Sequence, residues 1–210
     1  MIYCNYYFLG TFDPLHDGHM HIIKSEYANC LIPYNHIKSK LIIGITAQNP
    51  QKGNTMYTLD ERVNMMISRV LNDVVGCNDA NISMKVGNTI RDLTRYHILG
   101  TGKIDIIEDT SKNTFDFFEN EMDNGVLNYL IIGADQLYNI NTWVNAKKLL
   151  ERLYGIIVYP RTESPIDVLR FVKNELGAYS DKIKVRLQNK HTHISSTELR
   201  NNIKNKRKDL

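Results

Sequence analysis

Short apolar runs alternate with segments of helical apolar periodicity along most of the chain. Runs of strand length predict strands over residues 2–9, 41–46, 82–86, 104–107, 127–132, 156–159 and 183–187. Apolar residues spaced three and four apart predict helices over 18–31, 90–99, 114–122, 142–154 and 165–176, with a further helix from Ser196. Thr58 and Glu61 match a capping box, which predicts that another helix begins there.

This alternation predicts an α/β fold, a doubly wound parallel sheet with right-handed crossovers. The 210 residues suit one domain, which we assign to 1–210. Ligands of such sheets bind at the carboxyl ends of the strands. Candidate chemistry is therefore sought where an apolar run ends.

Composition narrows the class of partner. A net charge of +3 is too small to predict nucleic acid as a partner, and the basic run over 204–208 is interpreted as a solvated end. Three cysteines without metal-binding spacing favour reduced thiols. The sequence shows no signal peptide and no apolar run long enough to span a membrane. We therefore expect a cytoplasmic protein that binds neither nucleic acid nor membrane.

The first predicted strand runs into G-T-F-D-P-L-H-D-G-H over residues 10–19. Gly10 allows a sharp turn and close approach of a ligand. His16 and His19 are three residues apart at the start of a predicted helix, where free N–H groups and the helix dipole favour an anion. A single histidine there is more often a cap or a surface residue. Two histidines after a strand predict a site for a phosphate whose charge rises during reaction. Such a site is typical of a transferase.

Two further strings lie late in the chain. H-I-S-S-T-E-L-R over 193–200 contains a capping box of Ser195 and Glu198, which does not explain the additional hydroxyls or Arg200. These groups predict a second anion site, with Arg200 able to bind phosphate oxygens bidentately. L-I-I-G-A-D-Q-L over 130–137 ends a strand with a glycine and an aspartate that suits ribose hydroxyls, and the only tryptophan, Trp143, follows. A single tryptophan is more often a core residue.

Taken together, these strings resemble a known family. Residues 10–19 resemble the signature of the HxGH nucleotidyltransferase superfamily, and residues 193–200 resemble its I-S-S-T-x-x-R motif, which holds the triphosphate of ATP. Residues 130–137 with Trp143 resemble the nicotinate/nicotinamide mononucleotide adenylyltransferases, in their bacterial, deamido-preferring branch. The resemblance implies a Rossmann-like nucleotidyltransferase domain that joins nicotinate mononucleotide to the AMP part of ATP. Pyrophosphate and deamido-NAD are the products, in NAD biosynthesis.

The resemblance also implies residue roles. It assigns catalysis to His16, His19, Lys52 and Arg200. It assigns ATP binding to Gly10, Thr11, Phe12, His16, His19, Gly133, Asp135, Ile194, Ser196, Thr197 and Arg200. It assigns mononucleotide binding to Lys52, Thr114, Trp143 and Val144. Mg²⁺ is expected to arrive with ATP, held by substrate and water, with no metal ligands from the protein.

Three stretches depart from the family pattern. Asn113 to Phe118 match the family's S-Y-T-x-D-T-L segment at Thr114 and Asp116 only. Residues 88–93 fit the same pattern about equally well but lie too far upstream. Residues 87–103 are therefore interpreted as an insertion. The family's P-H-K loop is Pro50-Gln51-Lys52 here, so the histidine is missing. The family's C-terminal helix after an L-V-P turn is not found after Arg200, which leaves truncation and a natural end both open.

Two other functions remain open on the sequence. One is another HxGH adenylyltransferase of the pantetheine-phosphate type, against which Trp143 argues. The other is a non-catalytic nucleotide-binding sensor, which would not need to keep His16, His19 and Arg200. The sequence also leaves a homo-oligomer open. The resemblance favours nicotinate mononucleotide and leaves nicotinamide mononucleotide open as a second substrate.

Overall fold

A computed structural model of the chain describes residues 1–32, 36–47, 55–76, 82–86, 94–98, 103–122, 125–186, 196 and 198–201. The strands are β1 (Ile2–Gly10), β2 (Ile37–Thr46), β3 (Ile82–Val86), β4 (Thr94–Ile98), β5 (Ile104–Asp109), β6 (Val126–Gly133), β7 (Gly155–Tyr159) and β8 (Ile183–Val185). The α-helices are α1 (Asp17–Leu31), α2 (Leu59–Val70), α3 (Thr114–Glu121), α4 (Ala134–Tyr138), α5 (Ala146–Arg152) and α6 (Pro165–Glu175). A π-helical turn, Leu71–Val75, continues α2, and 3₁₀ turns lie at Ile140–Thr142 and Gly177–Lys182.

The strands form one sheet in the order β3-β4-β5-β2-β1-β6-β7-β8. Every pairing from β5 across to β8 is parallel. The chain builds outward from β1 through β2 to β5, then returns to the other side of β1 with β6. This is the strand order of Rossmann folds, with the switch point between β1 and β6. The predicted doubly wound α/β fold is confirmed.

Alternate residues of the buried strands face opposite layers of helices. Phe8 and Ile43 pack into the core beneath α1 and α2, whereas Tyr7 and Ile42 pack beneath the later helices. Because both faces are covered, the strands read as continuous apolar runs rather than as alternating ones. No helix among the residues described above is long and apolar enough to cross a membrane.

The capping box of α2 forms as predicted. The Thr58 hydroxyl oxygen accepts the Glu61 N–H at 3.3 Å, and the Glu61 carboxylate accepts the Thr58 N–H at 2.7 Å. Met66 on this helix is fully buried and packs in the core.

Two predicted helices are wrong in part. The structure forms strand β4 at Thr94–Ile98 where a helix was predicted over 90–99, and β4 runs antiparallel to both β3 and β5. Tyr96 of β4 donates its hydroxyl to Glu108 of β5 at 2.6 Å. Threonine, tyrosine and isoleucine favour strands once a neighbouring strand is available, and periodicity along one segment does not report that neighbour. The rest of 87–103, apart from Lys103, lies outside the described residues, so the insertion stays a prediction.

The helix predicted over 142–154 is shorter. A 3₁₀ turn ends at Thr142, Trp143 is extended, and α5 begins only at Ala146. Asn145 separates the two with a φ of 51°, in the left-handed region that asparagine tolerates better than most residues.

Candidate active site

The signature loop joins the carboxyl end of β1 to the first turn of α1. His16 is the N-cap of α1, and its Nδ1 accepts the Gly18 N–H at 3.1 Å. Because Nδ1 accepts a hydrogen bond, the proton of the neutral imidazole lies on Nε2. The N-cap hydrogen bond therefore leaves Nε2 of His16 as the donor.

His19 lies directly against His16. The two rings stack with centroids 3.7 Å apart and an angle of 25° between their planes. The edge of the Phe12 ring meets His19 at 5.0 Å between centroids. His16 and His19 are only 5% and 9% exposed. Donors held this rigidly and away from water act strongly on developing charge.

Gly10 makes room for Phe12. A Cβ at Gly10 would lie 3.1 Å from the Phe12 ring. The absence of a side chain at Gly10 thus lets Phe12 fold back onto the strand end beside His19.

A cleft of about 510 Å³ lies along the carboxyl ends of the central strands. Most of the site residues expected from the sequence line it: Gly10, Thr11, Phe12, His19, Thr114, Gly133, Asp135, Trp143, Val144, Ser196 and Arg200. His16 is not among the lining residues, and it stacks on His19, which is. The expected residues Lys52, Ile194 and Thr197 lie outside the described residues.

The two terminal motifs meet at this cleft. Arg200 donates through Nη1 to the backbone carbonyl of Asp13, and the same nitrogen lies 3.8 Å from the Asp13 carboxylate. The Ser196 hydroxyl donates to the backbone carbonyl of Pro14 at 3.3 Å. Residues more than 180 positions apart thus form one wall of the cleft.

The strand end at Gly133 leaves space for a carboxylate. A Cβ at Gly133 would lie 2.4 Å from Oδ1 of Asp135, so a side chain there would force the carboxylate to move. Asp135 is exposed at the start of α4 and lines the cleft. Its position suits hydrogen bonds from ligand hydroxyls.

Trp143 and the start of α3 form another part of the cleft. Trp143 is half-buried, and it packs against the core of its face while lining the cleft. Asn113 is the N-cap of α3 and accepts the Asp116 N–H at 3.0 Å. The structure therefore supports both readings of the tryptophan, as a core residue and as a wall of the site.

Sequence reasoning missed further polar residues at the same edge. Asp109 ends β5 and is 3% exposed, and Arg161 follows β7 by two residues; both line the cleft. Burial raises the pKa of the Asp109 carboxyl, and the hydrogen bond from the Ser111 N–H opposes that rise. The end-of-strand rule, applied to β5 and β7 as it was to β1, could have found both residues.

The cleft carries both signs of charge. His19, Lys112, Arg161 and Arg200 supply donors for phosphates, and Asp13, Asp109 and Asp135 supply carboxylates. Within the described part of the chain, no three histidine, cysteine or acidic residues are grouped so that they could hold a metal ion. The histidine, lysine and arginine side chains of the cleft fit an anionic ligand.

Comparison with known proteins adds family information. A family model described as cytidylyltransferase-like matches residues 7–202. A Clostridium tetani protein named probable nicotinate-nucleotide adenylyltransferase is 26% identical over 94% of this chain and 85% of its own length. A Helicobacter pylori protein of the same name is 30% identical, over 72% of this chain and 71% of its own length.

A solved structure shares the fold. It is the Plasmodium falciparum nicotinic acid mononucleotide adenylyltransferase complexed with NaAD, which superposes with a TM-score of 0.64 at 16% identity. The superposition covers 96% of this chain and 83% of the other.

Proposed function

The chain belongs to the cytidylyltransferase-like family, and we propose that it joins nicotinate mononucleotide to the AMP part of ATP, releasing pyrophosphate. One observation supports this most: the C-terminal Ser196 and Arg200 lie against the signature loop, beside the stacked histidines. A nucleotidyl transferase needs donors at the reacting phosphate and further donors for the leaving pyrophosphate. The likeness to proteins named nicotinate-nucleotide adenylyltransferases assigns the substrates.

In the proposed reaction the mononucleotide phosphate attacks the α-phosphorus of ATP in line. The phosphate is already an anion, so no general base and no covalent intermediate are needed. Catalysis then consists of positioning and electrostatic stabilisation. His16 and His19 donate to α-phosphate oxygens as charge builds there.

The leaving group and the acceptor use the remaining residues. Ser196, Thr197 and Arg200 hold the β- and γ-phosphates, Ile194 contributes to ATP binding, and Lys52 offsets the charge of the attacking phosphate. Gly10, Thr11, Phe12, Gly133 and Asp135 bind the rest of ATP. Thr114, Trp143 and Val144 form the pocket for the pyridine ring. Arg161 at the end of β7 adds a cation to the same cleft.

Magnesium would be brought by ATP rather than held by residues of this chain, and it would offset part of the phosphate charge. The buried, free thiols of Cys4 and Cys30 support the expected cytoplasmic location. A homo-oligomer remains compatible with the proposal.

The test is ATP-dependent pyrophosphate release with four acceptors: nicotinate mononucleotide, nicotinamide mononucleotide, phosphopantetheine and glycerol 3-phosphate. Backbone amides at the start of α3 would bond a carboxylate, whereas a carboxamide would turn an N–H toward them and leave a donor unpaired. We therefore expect nicotinate mononucleotide to exceed nicotinamide mononucleotide by roughly tenfold in kcat/KM, about 1.4 kcal/mol.

Each other result has a distinct meaning. Equal use of both mononucleotides would contradict the pocket at α3 but keep adenylyl transfer. Preference for phosphopantetheine or glycerol 3-phosphate would replace the substrate assignment. Nucleotide binding without release of pyrophosphate from ATP in the presence of any acceptor would indicate a sensor.

A further inference from the structure

Arg62 on α2 is a buried cation beneath the signature loop. Its side chain is almost fully buried, at 1% exposure. Nη1 donates to the carbonyls of Thr11 at 2.7 Å and Thr46 at 2.8 Å, and Nη2 donates to Ala47 at 3.1 Å. Nε donates to the carbonyls of Tyr57 and Thr58 at 3.2 and 3.3 Å. One guanidinium therefore joins the signature loop, the carboxyl end of β2 and the start of α2.

Asp13 completes the same connection from the loop side. Its carboxylate accepts the N–H groups of Met56 at 2.8 Å and Tyr57 at 3.0 Å. The peptide groups around Tyr57 are thus held by Asp13 through an N–H and by Arg62 through a carbonyl. Burial lowers the pKa of Arg62, and the nearby Asp13 charge opposes that change.

The bond to Thr11 lies next to the one residue of the signature loop that has a positive φ. Phe12 has a φ of 49°, in the left-handed region that a bulky side chain rarely adopts. Such a conformation is unfavourable by itself and persists only where the surroundings hold it. Arg62 binds the carbonyl of the peptide that leads directly into Phe12. The Phe12 ring in turn abuts His19, which stacks on His16.

Stability alone is a weak reason for this arrangement. Removing a guanidinium from water is costly, and apolar side chains of similar volume often replace buried ionic groups without loss of stability. The five carbonyl contacts instead fix the signature loop, the end of β2 and the start of α2 relative to one another.

We propose that Arg62 is a positioning residue, which holds the Thr11–Phe12 peptide so that Phe12 keeps His19 and His16 in their catalytic arrangement. The inference rests on the proposed function insofar as the histidines act at the α-phosphate. It adds a residue outside every motif found in the sequence.

The variants are Arg62→Gln, which removes the charge and most of the donors, and Arg62→Lys, which keeps the charge with one donor centre. Lys182→Gln is the matched control. Lys182 also donates to three backbone carbonyls, those of Leu150, Glu151 and Leu153, but at the end of α5 and outside the lining of the cleft. Arg62→Gln and Lys182→Gln each lose a cation that binds backbone carbonyls, and only the Arg62 variants change the link to Thr11.

Two readouts are compared in protein shown to be folded by circular dichroism. The first is kcat and KM for ATP, expressed per folded molecule. We expect Arg62→Gln to lower kcat by about 100-fold, the scale of a small displacement of catalytic groups, with KM for ATP nearly unchanged. Lys182→Gln should lower the melting temperature but keep kcat.

The second readout is the NMR signals of the His16 and His19 rings, which need no substrate. We expect these signals to shift in both Arg62 variants and to stay in place in Lys182→Gln. If Arg62→Gln does not fold, Arg62→Lys is compared with wild type by itself. Unchanged ring signals together with unchanged kcat, or a rise in KM alone, would overturn the inference. If the wild-type protein releases no pyrophosphate, the proposed function fails and the ring signals alone decide the role of Arg62.

Discussion

His16 and His19 show how a short motif acquires chemical properties from its surroundings. The N-cap bond from Gly18 sets the tautomer of His16, and Phe12 with the stacked ring limits the motion of His19. Neither contact is encoded by the two histidines themselves. Both contacts depend on the path of the backbone from Phe12 to His19.

We predict that His19→Ala lowers kcat by about 100-fold or more, the scale for removal of one preorganised donor to developing charge. KM for ATP should change little, because the lost bond strengthens mainly in the transition state. Pyrophosphate release measures both values. His21→Ala is the control, since His21 lies two residues further along α1 and outside the cleft lining. A near-normal kcat in His19→Ala would contradict the catalytic role of His19.

Arg200 offers a second test at single-residue scale. We predict that Arg200→Ala weakens ATP binding by roughly 1.5–3 kcal/mol, the value of a lost charge-assisted hydrogen bond, and AMP binding far less. Calorimetry with both nucleotides measures the difference. Arg170→Ala on α6 serves as control, because its partner Asp167 and its exposure place it at the surface. Equal losses for ATP and AMP would show that Arg200 matters through its contact with Asp13 instead.

At the scale of single elements, α2 carries its own start signal. We predict that Thr58→Ala lowers the free energy of unfolding by about 1 kcal/mol, the usual value of an N-cap side chain. Thr58→Ser keeps the hydroxyl and should remain close to wild type. Urea denaturation measures both, and equal stabilities of the two variants would contradict the cap.

The same capping box predicts a pH dependence. Hydrogen bonds from the Thr58 backbone and hydroxyl lower the pKa of Glu61. A lowered native pKa stabilises the folded state above the pKa of the unfolded chain, and this contribution is lost as pH falls through the native pKa. The stability difference between wild type and Thr58→Ala should therefore narrow below about pH 4. A difference that stays constant to lower pH would contradict the link to Glu61.

At the scale of the whole molecule, Glu26 joins the two halves of the sheet. This fully buried carboxylate on α1 accepts the Tyr159 hydroxyl of β7 at 2.5 Å. Arg186, directly after β8, donates to both of its oxygens at 2.9 and 3.1 Å. The helix that carries the histidines is thereby tied to the last strand before the C-terminal motif.

We predict that Glu26→Ala lowers the free energy of unfolding by about 3 kcal/mol. This is the lower end for a broken buried ion pair, because Arg186 keeps some contact with water. Glu119→Ala removes an exposed carboxylate from its pair with Arg152 and should cost less than about 1 kcal/mol. Chemical denaturation of both variants provides the comparison, and similar losses would contradict a special role for Glu26.

The features that the sequence predicted well are formed by residues close to one another along the chain. Strand ends, the capping box and the three motifs depend on residues within a turn or a strand of one another, so the sequence pattern is enough to detect them. The helix expected over 90–99 failed because β4 exists only through pairing with β3 and β5. The long helix over 142–154 failed at Asn145, where a left-handed residue is tolerated by the local packing.

The sequence by itself determined the doubly wound fold and most of the order of its elements, and its motifs indicated the family. Hydrophobic periodicity and local capping carry that information, and both act between near neighbours. Tertiary structure alone decided that Arg200 meets Asp13 and that Arg62 reaches Thr11. These two contacts join residues 51 or more positions apart. They form only because the carboxyl ends of parallel strands converge at one edge, which brings together side chains whose partners no local pattern specifies.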